Sequence, residues 1–201
     1  MNRALLSVLL FPMLVTPAGL HADTLATNQW YEFSFYSAGV MAQGCYPADP
    51  SPTALNCLPS AGNDAILAPA PPWEFDLSAT GGTLIVTDAF LYGDAFTISD
   101  YNVDLATTFT FTTPPVSYTG AGCGSDPAVC VDDPSSSHGA FPLEPGLQLI
   151  TITPYATADA GAAYFEVATA VITPEPSELA PLLLISTLAL WIGGRKRLLS
   201  I

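Results

Sequence analysis

Between Ala4 and Gly194 this chain contains neither lysine nor arginine. Its 201 residues hold 4 bases, Arg3, Arg195, Lys196 and Arg197, against 18 Asp and Glu. A body without a fixed cation cannot neutralise phosphates by ion pairing, which excludes nucleic acid as a partner. It has no Gly-Lys-Ser/Thr either, so a P-loop nucleotide site is excluded. Carboxylates that cluster in such a body must be solvated, share a proton or hold a metal cation. Glu175 and Glu178 stand apart near the C-terminus. The sixteen carboxylates from Asp23 to Glu166 are read mainly as an acidic surface that keeps the protein soluble. Histidine is scarce too: only His21 and His138 are present. No Cys-x-x-Cys, nucleophile elbow, collagen period or solenoid period occurs.

What the middle lacks, the two ends supply. Arg3 precedes an apolar core from Leu5 to Val15, and Leu20-His21-Ala22 can precede a cleavage site. Residues 1–22 therefore read as a secretory signal peptide helix. At the other end Pro174-Glu175-Pro176 is followed by Ser177-Glu178, an apolar run from Leu179 to Ile192, Gly193-Gly194 and Arg195-Lys196-Arg197. The two prolines disfavour helix and leave their segment extended and open to an enzyme. The apolar run can enter a bilayer as a hydrophobic helix, and the three cations stop it on the cytoplasmic side. It is shorter than the ~20 residues a comfortable span needs.

This ordered tail resembles the PEP-CTERM sorting signal of Gram-negative bacteria. The resemblance implies an exosortase-like membrane protease as partner and only transient residence in the inner membrane. The destination it implies is the cell surface or extracellular space, in an exopolysaccharide or biofilm setting. A weaker likeness to the bodies of such proteins lies in Pro72-Trp73-Glu74-Phe75-Asp76-Leu77, Thr83 to Phe90, Gly93-Asp94-Ala95-Phe96 and Tyr164-Phe165-Glu166-Val167; it brings no activity with it. The chain then divides into 1–22 (signal peptide), 23–173 (exported domain) and 174–201 (sorting signal).

The exported domain is rich in Thr, Val, Ala, Phe and Tyr, which favours strand over helix. Alternation predicts seven strands: Trp30–Ser37, Trp73–Leu77, Thr83–Phe90, Phe96–Val103, Leu105–Phe111, Leu147–Thr153 and Ala163–Ile172. Each has one polar face, so the expected fold is all-β, a single antiparallel β-sandwich of jelly-roll type. Two long stretches, Gly39 to Pro72 and Pro114 to Ser137, interrupt the pattern and should be functional or pinned. Cys45 and Cys57 lie in the first, Cys123 and Cys130 in the second. Two disulfides follow for an exported chain, with three possible pairings, and the local pairing closes both loops. A four-cysteine zinc site is the alternative.

Candidate chemistry is thin. Asp88, Asp94, Asp100 and Asp104 fall in a strand-turn-strand region and could supply oxygen ligands to Ca²⁺, although aspartate also caps turns. His138 after Ser135-Ser136-Ser137 reads as a flexible loop more readily than as part of a triad. Two carboxylates could serve glycoside hydrolysis. Trp30, Tyr36, Trp73, Tyr92, Tyr101 and Tyr155 could stack on sugars or fill a core. The leading expectation is a non-enzymatic structural or adhesive protein without a cofactor. A carbohydrate-binding module, with or without Ca²⁺, comes next, and a two-carboxylate hydrolase third.

Overall fold

Strand follows strand in the computed structural model, which describes residues 24–62, 64–77, 80–157 and 159–169. The segments expected to form a signal peptide (1–22) and a sorting signal with a hydrophobic helix (174–201) lie outside the described residues. In chain order come β1 (Trp30–Phe35), β2 (Cys45–Tyr46), β3 (Leu55–Asn56), β4 (Ile66–Leu67), β5 (Trp73–Asp76) and β6 (Gly82–Asp88). Then follow β7 (Ala95–Asn102), β8 (Thr107–Thr112), α1 (Pro127–Asp132), β9 (His138–Leu143), β10 (Leu147–Ala156) and β11 (Gly161–Ala168). The protein is all-β, as its composition predicts. No helix among the described residues is long and apolar enough to cross a membrane.

Two sheets hold the long strands. One has the order β4-β1-β11-β6-β9 and the other β5-β10-β7-β8, while β2 and β3 form a small parallel pair. Every pairing between long strands is antiparallel, and only short β4 joins its neighbour β1 in parallel. Alternation decides which side chains meet between the sheets. Tyr31, Phe33 and Phe35 from β1, Leu84 and Val86 from β6, and Phe165 and Val167 from β11 share one core with Trp73, Phe75, Phe96, Ile98, Ile150 and Ile152 from the other sheet. Phe165 is its hub: its ring lies 4.6 Å from Trp73, 5.4 Å from Tyr31 and 5.9 Å from Phe33. Trp73, named above as a possible sugar platform, is core, and its indole N–H donates to the Pro69 carbonyl.

Three expectations need correction. His138 to Leu143 is a strand and not part of a loop. Its Gly139 and Pro142 hide it from propensity, but β9 is a sheet edge, where proline is tolerated. Of the preceding serines, Ser136 and Ser137 are buried and Ser135 is exposed. Ser136 Oγ lies 3.2 Å from Thr87 Oγ1, and Ser137 Oγ is 2.7 Å from Thr113 Oγ1 and donates to the Pro114 carbonyl at 2.6 Å. Nor does every strand have a wet face: on β1 both faces are buried, because the first long loop covers Glu32 and Ser34.

Candidate functional site

Both long loops fold over the outer face of the β1-containing sheet, and each is pinned. The disulfides are Cys45–Cys57 and Cys123–Cys130, the local pairing, which leaves no free cysteine and no ligand set for zinc. Glu32 lies close to the first disulfide, but two bonded sulfurs offer no thiolate to a metal. In the first loop, Ser34 Oγ donates to the Gly44 carbonyl at 2.6 Å, and Asp49 accepts from the Gly44 and Ser51 amides. In the second, Asp126 caps α1 by accepting from the Ala128 amide, and Pro127 opens the helix. The loops meet where the Ala61 amide donates to the Ser125 carbonyl at 3.0 Å.

Between the loops lies a cleft of about 560 Å³, within the range of small-molecule sites. One wall is Leu55 to Leu58 of the first loop. The other is Ala89 to Tyr92, which follows β6, together with Tyr118 of the second loop; Asp94 and residues 159–162 complete it. The second wall is stitched to the disulfide loop: the Phe90 amide donates to the Gly124 carbonyl at 2.8 Å and the Tyr92 amide to the Ala121 carbonyl at 3.0 Å. Phe90 has φ of 60°, a left-handed conformation unusual for a phenylalanine. A Cβ on Gly122 would fall 1.3 Å from the Phe90 carbonyl oxygen, so only glycine allows this approach. The lining is apolar and open, with Leu58, Leu91 and Tyr118 all exposed.

The electrostatics of the cleft come from aspartates. Asp88, at the end of β6, is buried and accepts from the amides of Ala89 (2.8 Å), Gly93 and Asp94 (3.2 Å each). Burial and then the neighbouring Asp94 carboxylate push its pKa up to about 8, while the three amides pull it back. The Tyr92 hydroxyl donates to Asp133 in a short hydrogen bond, which holds Asp133 below the usual carboxylate range. A Cβ placed on Gly161 would lie 3.6 Å from Asp94 Oδ2, so this carboxylate faces the turn that carries Asp159.

The four aspartates proposed for Ca²⁺ are not gathered. Asp88 and Asp94 stand together at the cleft. Asp100 faces inward on β7, fully buried, with neither oxygen hydrogen-bonded among the described residues, and burial lifts its pKa to about 6. Asp104 is exposed beyond the far end of β7 and accepts from the Leu147 amide at 3.1 Å. β7 has 8 residues. At about 3.4 Å per residue it keeps Asp94 and Asp104 roughly a strand length apart. His138 Nδ1 lies 3.0 Å from the Ser136 carbonyl oxygen and has no serine hydroxyl partner among the described residues, so no triad assembles. The aromatic residues at the cleft are Tyr92, one of the sequence candidates for sugar stacking, and Phe90 and Tyr118, which are not among those candidates. Only the place of Tyr118 in a Gly- and Pro-rich stretch, outside any expected strand, hints at it in the sequence. Comparisons with protein-family models, curated proteins and solved structures find no match.

Proposed function

We propose that this is an exported, non-enzymatic adhesive protein of an exopolysaccharide matrix, whose cleft between the two disulfide-pinned loops holds glycan. The observation that carries the reading is the cleft itself: the exposed ring of Tyr118 and the half-buried rings of Phe90 and Tyr92 stand on a frame pinned by two disulfides. Aromatic faces stack on the apolar faces of sugar rings. The strand orders β4-β1-β11-β6-β9 and β5-β10-β7-β8 correspond, apart from short β4, to a jelly roll, an architecture found among lectins. That likeness concerns fold alone. Two disulfides fit an oxidising compartment outside the cytoplasm.

Delivery belongs to the ends. The signal peptide takes the chain through the inner membrane, and Pro174-Glu175-Pro176 presents it to an exosortase-like protease that removes the helix and the basic stop at Arg195, Lys196 and Arg197. The intact mass of the protein from its host should lack residues 195–201; a mass that retains them would leave a plain membrane anchor instead. For the cleft, a glycan array with and without Ca²⁺ is the direct measurement. Glycan binding independent of Ca²⁺ is expected. Hydrolysis of an exopolysaccharide would move the protein to the two-carboxylate enzymes.

A further inference from the structure

We infer that Cys45–Cys57 is a thiol-exchange site: a small uncharged thiol in the cleft attacks Cys57 Sγ, and the Glu32 carboxyl gives its proton to the departing Cys45 sulfur. The inference does not depend on the glycan reading. A Glu32 carboxylate oxygen and the two sulfurs all lie within 4.8 Å of one another. Glu32 is fully buried, and neither carboxylate oxygen has a hydrogen-bond partner among the described residues. Cys57 is half-buried and lines the cleft, whereas Cys45 is fully buried. Of the two sulfurs, Cys57 Sγ is therefore the one that a nucleophile in the cleft reaches. Among the described residues no acidic side chain lies that close to both sulfurs of Cys123–Cys130, although Cys123 is half-buried like Cys57.

Exchange starts from a thiolate, which bonds to one sulfur and expels the other. Attack here joins the incoming sulfur to Cys57 Sγ and breaks Cys45–Cys57, and the electron pair of the broken bond leaves on Cys45 Sγ. A buried thiolate is costly, and no lysine or arginine exists among the described residues to offset it. Proton transfer from Glu32 makes Cys45 a neutral thiol and leaves Glu32 as the carboxylate, which water reprotonates. A second thiolate then attacks the mixed disulfide and releases Cys57, which takes its proton from water. Two thiols are oxidised and the bridge is reduced, once per chain. Burial pushes the Glu32 pKa up to about 7, so the proton is in place on the acid side of neutrality. Facing Glu32 across the sheet are Leu67 on β4, which is apolar, and Tyr164 on β11. Burial and then the carboxylates of Glu32 and Asp126 push the Tyr164 hydroxyl up, so it keeps its own proton. An acidic body without a fixed cation repels an anionic thiol, which sets the preference for an uncharged one.

The test is exchange of the purified full chain with 2-mercaptoethanol between pH 6 and pH 8, trapped with N-ethylmaleimide and mapped by peptide mass. Rates are expressed per mole of thiolate, so that ionisation of the probe drops out. The first adduct should fall on Cys57 and the maleimide on Cys45. Cys123–Cys130 should react about tenfold more slowly at pH 6, for want of a general acid. The rate at Cys57 should fall about tenfold from pH 6 to pH 8, as Glu32 gives up its proton. Glu32→Gln should be slow already at pH 6 and show no such fall. 2-Mercaptoethanesulfonate should react more slowly than 2-mercaptoethanol at low salt. An adduct on Cys45, equal rates at the two bridges, or a parent rate that does not fall with pH would each overturn the inference, whether or not the variant folds. So would a Glu32→Gln profile that matches the parent. A sulfonate thiol that reacts equally fast would show attack from outside the acidic cleft and overturn it too.

Discussion

Glu32 is the residue whose position costs most. It lies in the outer row of β1, directly opposite Tyr164 on β11, and is fully buried. Neither carboxylate oxygen has a hydrogen-bond partner among the described residues. Burial pushes its pKa up to about 7, with the nearby Leu58 backbone pulling slightly the other way. Burial, and then the carboxylates of Glu32 and Asp126, raise the pKa of the Tyr164 hydroxyl, which donates to the Ser125 carbonyl at 3.0 Å. A carboxyl whose folded pKa is raised favours the fold while protonated and loses that advantage as pH rises through the folded value. Glu32→Gln should therefore lose less stability than the parent between pH 5 and pH 8. Urea midpoints at the two values check this, and identical pH slopes would show that Glu32 is solvated. In the core, Phe165→Ala should cost about 3–5 kcal/mol, because its ring is surrounded by Tyr31, Phe33, Trp73 and Phe75.

At the level of elements, the cleft depends on parts too short to stand alone. α1 has 6 residues, below the length at which an isolated helix persists, and is held by Asp126 and by Cys130, which is buried. Replacing Cys123 and Cys130 together by serine should cost about 2–3 kcal/mol on the chain-entropy estimate. It should also loosen the Gly122–Phe90 approach, so that glycan affinity falls more than the melting temperature alone explains. Retained affinity at a temperature where the variant is folded would show that the second disulfide does not shape the cleft. Replacing Cys45 and Cys57 tests the opposite wall in the same way.

For the whole molecule, charge of one sign sets the response to pH. Burial raises the pKa of Glu32 to about 7, Asp88 to about 8 and Asp100 to about 6, and raises Glu166 as well. Asp133, paired with Tyr92, is the exception on the low side. All four raised groups favour the fold below their unfolded values near pH 4 and withdraw that support as pH climbs toward 8. The domain should melt higher at pH 5 than at pH 8, the reverse of a protein held by carboxylate ion pairs. A melting temperature that rises with pH across this range would overturn the account. Because Asp88 and Asp94 stand apart from Asp100 and Asp104, Ca²⁺ should raise the melting temperature no more than NaCl of equal ionic strength. A larger rise in Ca²⁺, reversed by chelator, would place a metal at the Asp88–Asp94 end.

Sequence alone determined the all-β class, seven of the eight long strands to within a few residues at each end, and the local closure of both loops. These follow from nearest-neighbour physics: alternation marks a strand's two faces, and cysteines close in the chain meet first. Observed β8 begins at Thr107, two residues beyond its expected start, since the turn before it runs through Ala106 at φ of 49°. Tertiary structure decided the rest. Edge placement made a strand of Gly- and Pro-bearing β9, and the loops buried Glu32 on a face that alternation marks as polar. The cleft was invisible for the same reason. Leu58, Phe90, Tyr118 and Asp159 are far apart in the chain, none stands in a motif, and only the fold of the two sheets brings the loops that carry them together.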